Sequence, residues 1–138
     1  MAGFQFRYRL CGAMPTIQDI LFKDTETLTK GDFANLESGE IDLAATADAN
    51  LLGAIYETQA GTDSTTRARV ITDDDAVYAV EDANARKIGD VLDIRGATGA
   101  QGVTSATNRE FIVVAESSAT QKTLVRVNTG KHFLNKAQ

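Results

Sequence analysis

A glycine-rich run is the first feature of this sequence whose residue types could support chemistry. Gly96, Gly99 and Gly102 have the spacing of a loop that cradles phosphate, but no Lys-Ser/Thr pair ends the run. A stretch rich in Ser and Thr follows, where phosphate binding would need the N-terminus of a helix. The run therefore predicts a flexible surface loop.

An aspartate triplet at residues 73–75 could contribute to a hard-cation site together with Asp63. Consecutive carboxylates between two strands cannot all face one ion, however, and the spacing of an EF-hand does not follow. We interpret the triplet as a solvated hairpin turn between Ile71 and Val77.

His132 is the only histidine, and Cys11 is the only cysteine. A single imidazole beside Lys131, in a chain without a G-x-S-x-G elbow, gives hydrolase chemistry little support. One cysteine cannot form an internal disulfide or a thiolate metal cluster, and no histidine lies near it in sequence, so Cys11 is interpreted as a small packing residue. We therefore predict that the protein is not an enzyme and that it has no catalytic residues, metal or cofactor.

Length and composition predict one globular domain. The chain has 138 residues, of which 43% are hydrophobic and 24% are charged. Its apolar segments are all shorter than the roughly 20 residues of a membrane-spanning helix, and the N-terminus lacks the apolar region of a secretory signal. We expect a protein made in the cytoplasm without a membrane partner, divided into residues 1–23, an N-terminal arm or first strands, and residues 24–138, a single β domain.

The formal charge of −5 is unevenly distributed along the chain. Residues 1–23 carry three basic side chains and one acidic, residues 122–138 carry four basic and no acidic, and the acidic excess lies between them. An acidic body repels phosphates, so we predict no nucleic-acid partner. Two interpretations of the basic ends remain open: they contact the acidic body of the same subunit, or they contact a neighbouring subunit or partner.

Short runs rich in β-branched residues, separated by Asp, Asn, Gly, Ser and Thr, predict an all-β fold. Their spacing is typical of a compact barrel or sandwich with at most one or two short helical turns, at residues 82–89 and 16–21. The predicted strands begin near residues 33, 40, 51, 67, 76, 91, 111 and 123. The predicted core consists of Phe33, Ile41, Leu43, Leu52, Ile55, Val70, Val77, Val80, Ile94, Ile112, Val114 and Val125.

The segment at residues 4–10 alternates strictly between apolar and polar side chains. Phe4, Phe6, Tyr8 and Leu10 would share one face of an extended chain, and Gln5, Arg7 and Arg9 the other. The segment is either an ordinary strand of this subunit's own sheet or an extended N-terminal arm that docks elsewhere, because an unpaired strand of this kind favours aggregation.

The order of several elements resembles that of the capsid decoration, or cement, proteins of tailed bacteriophages. The residues that carry the resemblance are an N-terminal arm, the Lys30-Gly31-Asp32 turn before Phe33, the strand at 40–45, Leu52-Gly53-Ala54-Ile55, and residues 70–73 leading into 76–78. The resemblance implies a β-barrel or β-tulip-like domain on the outside of the phage head, often as a trimer. The candidate protein-interaction residues are Phe4, Phe6, Arg7, Tyr8, Arg9, Lys30 and Asp32.

From this resemblance we expect a structural virion protein that binds the major capsid protein of its phage and stabilises the shell as a homotrimer or other homo-oligomer. Many weak contacts repeated over the shell would add up to resistance against internal pressure. Alternatives are another β-rich phage subunit, such as a head-tail connector, tail-tube or fibre-associated protein, and a small ligand-binding β module. Ring-like assembly of the isolated protein would favour the first of these alternatives.

Overall fold

The computed structural model describes residues 3–23, 28–57 and 67–135. These residues form short strands and one 3-10 helical turn at Phe133–Asn135, which confirms the all-β prediction. The strands are β1 (Gln5–Arg9), β2 (Ile17–Leu21), β3 (Phe33–Glu37), β4 (Glu40–Leu43), β5 (Leu51–Ala54), β6 (Arg67–Ile71), β7 (Ala76–Val80), β8 (Val91–Arg95), β9 (Gly102–Ser105), β10 (Phe111–Ala115) and β11 (Thr123–Val127).

The strands form three antiparallel sheets. The largest has six strands in the order β1-β7-β11-β10-β8-β9, a second pairs β2 with β6, and a third has the order β4-β3-β5. Isolated bridges between Phe22 and Ile41 and between Ile55 and Val70 join the two smaller sheets. The sheets are not closed into a barrel, so β1 and β9 are the edges of the six-stranded sheet.

Two hydrophobic clusters lie between these sheets. The larger is built around aromatic rings: Phe4 lies 4.8 Å from Phe33 and 5.0 Å from Phe111, and Phe33 lies 5.2 Å from Tyr78, between ring centroids. Edge-to-face and offset contacts of this kind stabilise more than buried area alone. The smaller cluster, around Phe22, is enclosed by the two- and three-stranded sheets.

Gly53 allows the three-stranded sheet to approach the rest of the molecule closely. A Cβ at this position would lie 1.9 Å from the carbonyl oxygen of Ile71 and 2.7 Å from the hydroxyl of Tyr78. Neither contact is possible for a real side chain, so only glycine fits here. The glycine in the Leu52-Gly53-Ala54 pattern is therefore required by close packing.

The predicted core is confirmed at nine of its twelve positions and wrong in the phase of β10. Phe111 and Val113 point into the core, whereas Ile112 and Val114 are half-buried and belong to the opposite face. Every residue of this strand is apolar, so alternation could not indicate which face is buried. Leu43 is also only half-buried and packs against the margin of the smaller cluster.

Both predicted helical turns are wrong. Residues 17–21 form β2, which pairs along its whole length with β6. Residues 82–89 form bends and a turn, because the Arg86 guanidinium folds back onto the Asp82 carboxylate and its backbone pairs with Ser117. The glycine-rich run at 96–102 was predicted to be a loop throughout, but its end, Gly102, begins β9 and the rest is the β8–β9 hairpin turn.

The N-terminal segment is a strand of the domain's own sheet, which favours the first of its two interpretations. β1 pairs antiparallel with β7, and Phe4, just before it, is 2% exposed in the aromatic cluster. A bulge between Phe6 and Tyr8 shifts the register, so Arg7 and Tyr8 are both exposed. The predicted strict alternation therefore ends at Phe6.

Candidate interaction surface

The predicted interaction residues separate into buried and exposed groups. Phe4 lies in the core and is unavailable to a partner, and Phe6 is half-buried against the same cluster. Arg7, Tyr8 and Lys30 are exposed. The remaining two, Arg9 and Asp32, use their charges inside the molecule, each to hold a loop.

Arg9 belongs to a charged clamp at the base of the loop after β1. Its guanidinium donates a 2.8 Å hydrogen bond to Asp75 and lies 3.5 Å from Asp73. The two carboxylates also accept the backbone N–H groups of Cys11, within the loop, and of Thr16, just after it. The predicted solvated hairpin turn is therefore wrong: Asp73 is 7% exposed, and β6 and β7 lie in different sheets.

The clamp changes the ionisation of its members. Burial opposes the charge of Asp75, but the hydrogen bonds from Arg9 and Cys11 prevail and lower the pKa of this carboxyl. The hydrogen bond to Asp75 likewise raises the pKa of Arg9. Both groups therefore stay charged at neutral pH, and the base of the loop is held by a full ion pair.

The loop held by this clamp, residues 10–14, presents apolar side chains to solvent. Leu10 is 51% exposed and Met14 is 85% exposed, with exposed Cys11, Gly12 and Ala13 between them. The Arg9 guanidinium donates a hydrogen bond to the carbonyl of Met14, and the N–H of Gly12 donates to the carbonyl of Arg9. We call residues 10–14 the apolar loop. Hydrogen bonds fix its backbone conformation, although its side chains do not pack into the hydrophobic core.

Asp32 holds the glycine-rich turn in a comparable way. Its carboxylate, 1% exposed, accepts the N–H of Gly99 at 2.8 Å, the hydroxyl of Thr98, and the N–H of Thr29 at 2.9 Å. The next turn residue, Gln101, accepts the N–H of Phe33 and donates to the carbonyl of Ala44. The Lys30-Gly31-Asp32 turn and the glycine-rich turn therefore lie side by side. Hydrogen bonds hold the glycine-rich turn against the rest of the domain.

A groove of about 520 Å³ lies between the start of β1 and the end of β5. Its walls are mostly apolar, and two basic side chains, Arg7 and Lys30, stand at its margin. The other lining residues are Phe4, Gln5, Phe6, Gly31, Ala54, Ile55, Tyr56 and Ile71. Four of the seven predicted interaction residues therefore line one groove.

The outer face of the six-stranded sheet carries a second set of apolar and basic residues. Ile112, Val114 and Leu124 are half-buried there, beside the shallow depression that Arg126 and the 71% exposed Ile88 also line. Arg7 and Lys122 border the neighbouring depression with Leu124. Because β1 and β11 both flank β7, Arg7 from the N-terminal segment and Lys122 and Arg126 from the C-terminal segment lie on this face, together with Glu116.

His132 has a structural role. It is fully buried, its Nε2 lies 2.9 Å from the carbonyl of Leu52, and its Nδ1 accepts the N–H of Leu134. Burial lowers the pKa of His132, so the ring is neutral, with Nε2 as the donor. Both ring nitrogens are occupied by the backbone, which leaves neither for substrate.

Two acids, half-buried Asp42 and fully buried Glu110, have raised pKa values. Burial, together with the hydrogen bond to Glu37, raises the pKa of Asp42 to about 6. Burial also raises the pKa of Glu110, which is fully buried and accepts the N–H of Ile94. These two acids lie in separate parts of the fold, and neither lines a depression described above.

Within residues 3–23, 28–57 and 67–135, no group of three or more His, Cys, Asp or Glu side chains is arranged to hold a metal ion. Asp63, considered with the aspartate triplet, lies outside the described residues. No helix in the described part of the chain is long and apolar enough to cross a membrane.

The sequence interpretation missed Leu10, Met14, Ile88, Ile112 and Leu124 as surface residues. One signal for them was available: Leu10 and Met14 belong to a run of small and apolar residues that ends at Pro15, without the period of a strand or helix. Ile112 gave no such signal, because its strand is apolar on both faces.

Compared with known proteins, the chain matches no family model and no curated sequence.

Proposed function

We propose that this protein is a structural subunit of a tailed-bacteriophage virion that binds the exterior of the capsid and stabilises the shell. The resemblance of its motifs to decoration proteins supports this proposal, and so does the all-β fold. Its partner would be the major capsid protein, and its place the outside of the virion, after synthesis in the host cytoplasm.

The observation that carries the proposal is the outer face of the six-stranded sheet. Ile112, Val114 and Leu124 form an apolar centre, and Arg7 and Arg126 stand beside it on a protein whose net charge is −5. An apolar centre with polar margins is the usual anatomy of a protein interface. The basic margin would be attracted to an acidic surface, which speeds and orients binding.

The proposed stabilisation of the shell depends on the number of copies bound to it. A small subunit buries a modest area, and the same contact repeated over the shell adds up to substantial resistance against internal pressure. Such a subunit needs no reaction chemistry, and its acidic remainder would keep it soluble before assembly.

Binding to shells lacking this protein tests the proposal. Purified protein should cosediment with them and raise the temperature at which they release DNA. Arg126→Glu should weaken binding by about tenfold, and more at low salt than at high salt, whereas Arg67→Glu, an exposed site on the two-stranded sheet, should bind normally. Absence of cosedimentation at any salt concentration would refute the proposed function.

A further inference from the structure

Two further features of the described chain are the exposed apolar loop at residues 10–14 and the groove between β1 and β5. Leu10 of the loop and Arg7 of the groove also line the depressions on the outer face of the six-stranded sheet. The groove lies along the first half of β1, and the loop follows its end, so roughly 10 Å of strand separates Phe6 from Arg9 at the base of the loop. A loop cannot reach the groove of its own chain across this strand.

The loop is suited to insertion because its shape is already fixed. Its base is held by the ion pair of Arg9 with Asp75 and by the N–H groups of Cys11 and Thr16 on carboxylates. A preorganised loop loses little conformational entropy on binding. Burying Leu10 and Met14, now 51% and 85% exposed, would remove apolar surface from water.

The groove has the size and lining to receive such side chains. Its volume of about 520 Å³ lies within the range of about 300–1,000 Å³ that is usual for binding pockets. Phe6 and Tyr56 supply apolar contact surface, and the rigid strands β1 and β5 form its sides.

The charges around the two features are complementary. Half-buried Asp74 lies between the two clamp aspartates at the base of the loop. Exposed Lys30 and Arg7 stand at the margin of the groove. An apolar loop with an acidic base and an apolar groove with a basic margin fit each other, and both belong to the same chain.

We propose that the apolar loop of one copy inserts into the β1–β5 groove of a second copy, with Asp74 facing Lys30 and Arg7 of that copy. Two copies can exchange loops reciprocally in a two-fold dimer, or successive copies can join head to tail into a ring or an open chain. The inference does not depend on a phage shell.

Sedimentation velocity of the isolated full-length protein over a range of concentrations tests the proposal. Wild type should associate into dimers or larger species. Met14→Asp should raise the dissociation constant by about tenfold or more, because it places a charge in the apolar groove. The matched control is Leu134→Asp, which adds the same charge at a 60% exposed leucine outside both features and should associate as wild type.

A charge exchange tests the orientation. Lys30→Glu and Asp74→Lys should each weaken association, and the double variant should recover most of it, because the two charges meet across the contact. Additive losses in the double variant would refute the predicted pairing.

The single cysteine gives a direct measurement of the same contact. In wild type, oxidation can link only Cys11 to Cys11. In Lys30→Cys, mild oxidation should link Cys11 of one copy to the new thiol at position 30 of another copy, a link that peptide mass spectrometry identifies. A protein that stays monomeric at all concentrations, or one that yields only Cys11–Cys11 links in this variant, would overturn the proposal. Because no capsid is present, these outcomes are independent of the shell-binding experiment.

Discussion

The apolar loop at 10–14 and the glycine-rich turn at 96–102 are both held by carboxylates from distant parts of the chain. The two differ in the side chains that they expose at their tips. Asp32 accepts backbone N–H and hydroxyl groups from the glycine-rich turn, whose tip has only glycine, alanine and threonine. Asp73 and Asp75 accept N–H groups around the apolar loop, whose tip carries exposed leucine and methionine.

The difference shows that anchoring alone does not identify a binding loop. The turn held by Asp32 lies against Phe33 and Ala44 through Gln101, so its anchoring stabilises the junction of the sheets. The clamp of the apolar loop also joins two sheets, because Arg9 ends β1 and Thr16 precedes β2. The side chains of Leu10 and Met14, however, lie outside both hydrophobic clusters and gain nothing from their exposure. We therefore infer a structural role for the first and a binding role for the second.

The largest expected effect lies at the junction beneath the glycine-rich turn. Phe33 is fully buried, contacts three aromatic rings and donates its N–H to Gln101. Phe33→Ala should lower the free energy of unfolding by about 3–5 kcal/mol, measured by urea denaturation. Ile112→Ala, on the outer face, should lower it by less than about 2 kcal/mol, and an equal loss at both sites would contradict the assignment of β10's faces.

Removing the carboxylate of Asp32 should have the next largest effect. Asp32→Ala leaves the N–H groups of half-buried Thr29 and exposed Gly99 without their acceptor and removes a carboxylate that is itself buried; an unsatisfied buried group costs about 1–3 kcal/mol. We expect a loss of about 3 kcal/mol in urea denaturation and faster hydrogen exchange at Gly99. Unchanged exchange there would show that the turn does not depend on Asp32.

Local patterns predicted most strands of this molecule, because alternating or β-branched runs such as those at β4, β7 and β11 carry their own period. β2 and β9 were missed because they are short and partly polar. The clamp was not predictable, since Asp73 and Thr16 are 57 residues apart and nothing in either segment indicates the other. Of the candidate interaction surface, the sequence indicated Arg7, Lys30 and Phe6, which line the groove. It did not indicate the apolar loop, which depends on the bulge in β1, or the outer face of the six-stranded sheet, which depends on the phase of β10.

Removing the charge of Asp75, in the clamp of the apolar loop, should lower the free energy of unfolding by a smaller amount that depends on pH. Asp75 has a lowered pKa, so its contribution to stability is fully present above the ordinary value of 3.8 and is lost as pH falls through the lower value of the folded protein. Asp75→Asn should cost about 1 kcal/mol at pH 7, because the clamp is part-exposed. The difference from wild type in urea denaturation should stay constant from pH 7 to 5 and shrink below pH 3.8. A difference that grows on acidification would have the wrong sign for this ion pair.

The smallest effect on stability should come from the tip of the apolar loop. Met14 is 85% exposed, so Met14→Asp should change the free energy of unfolding of the monomer by no more than about 0.5 kcal/mol, while it abolishes most self-association. Gly99, at the tip of the other turn, has a φ of +75° with open space around the position of a Cβ. Gly99→Ala should therefore cost about 1 kcal/mol through backbone strain and leave association unchanged. Urea denaturation at concentrations below the association range measures the stability of the monomer, and sedimentation velocity measures self-association. If Met14→Asp destabilised the monomer as much as Gly99→Ala, the loop would belong to the fold rather than to an interface, and the contrast between the two loops would fail.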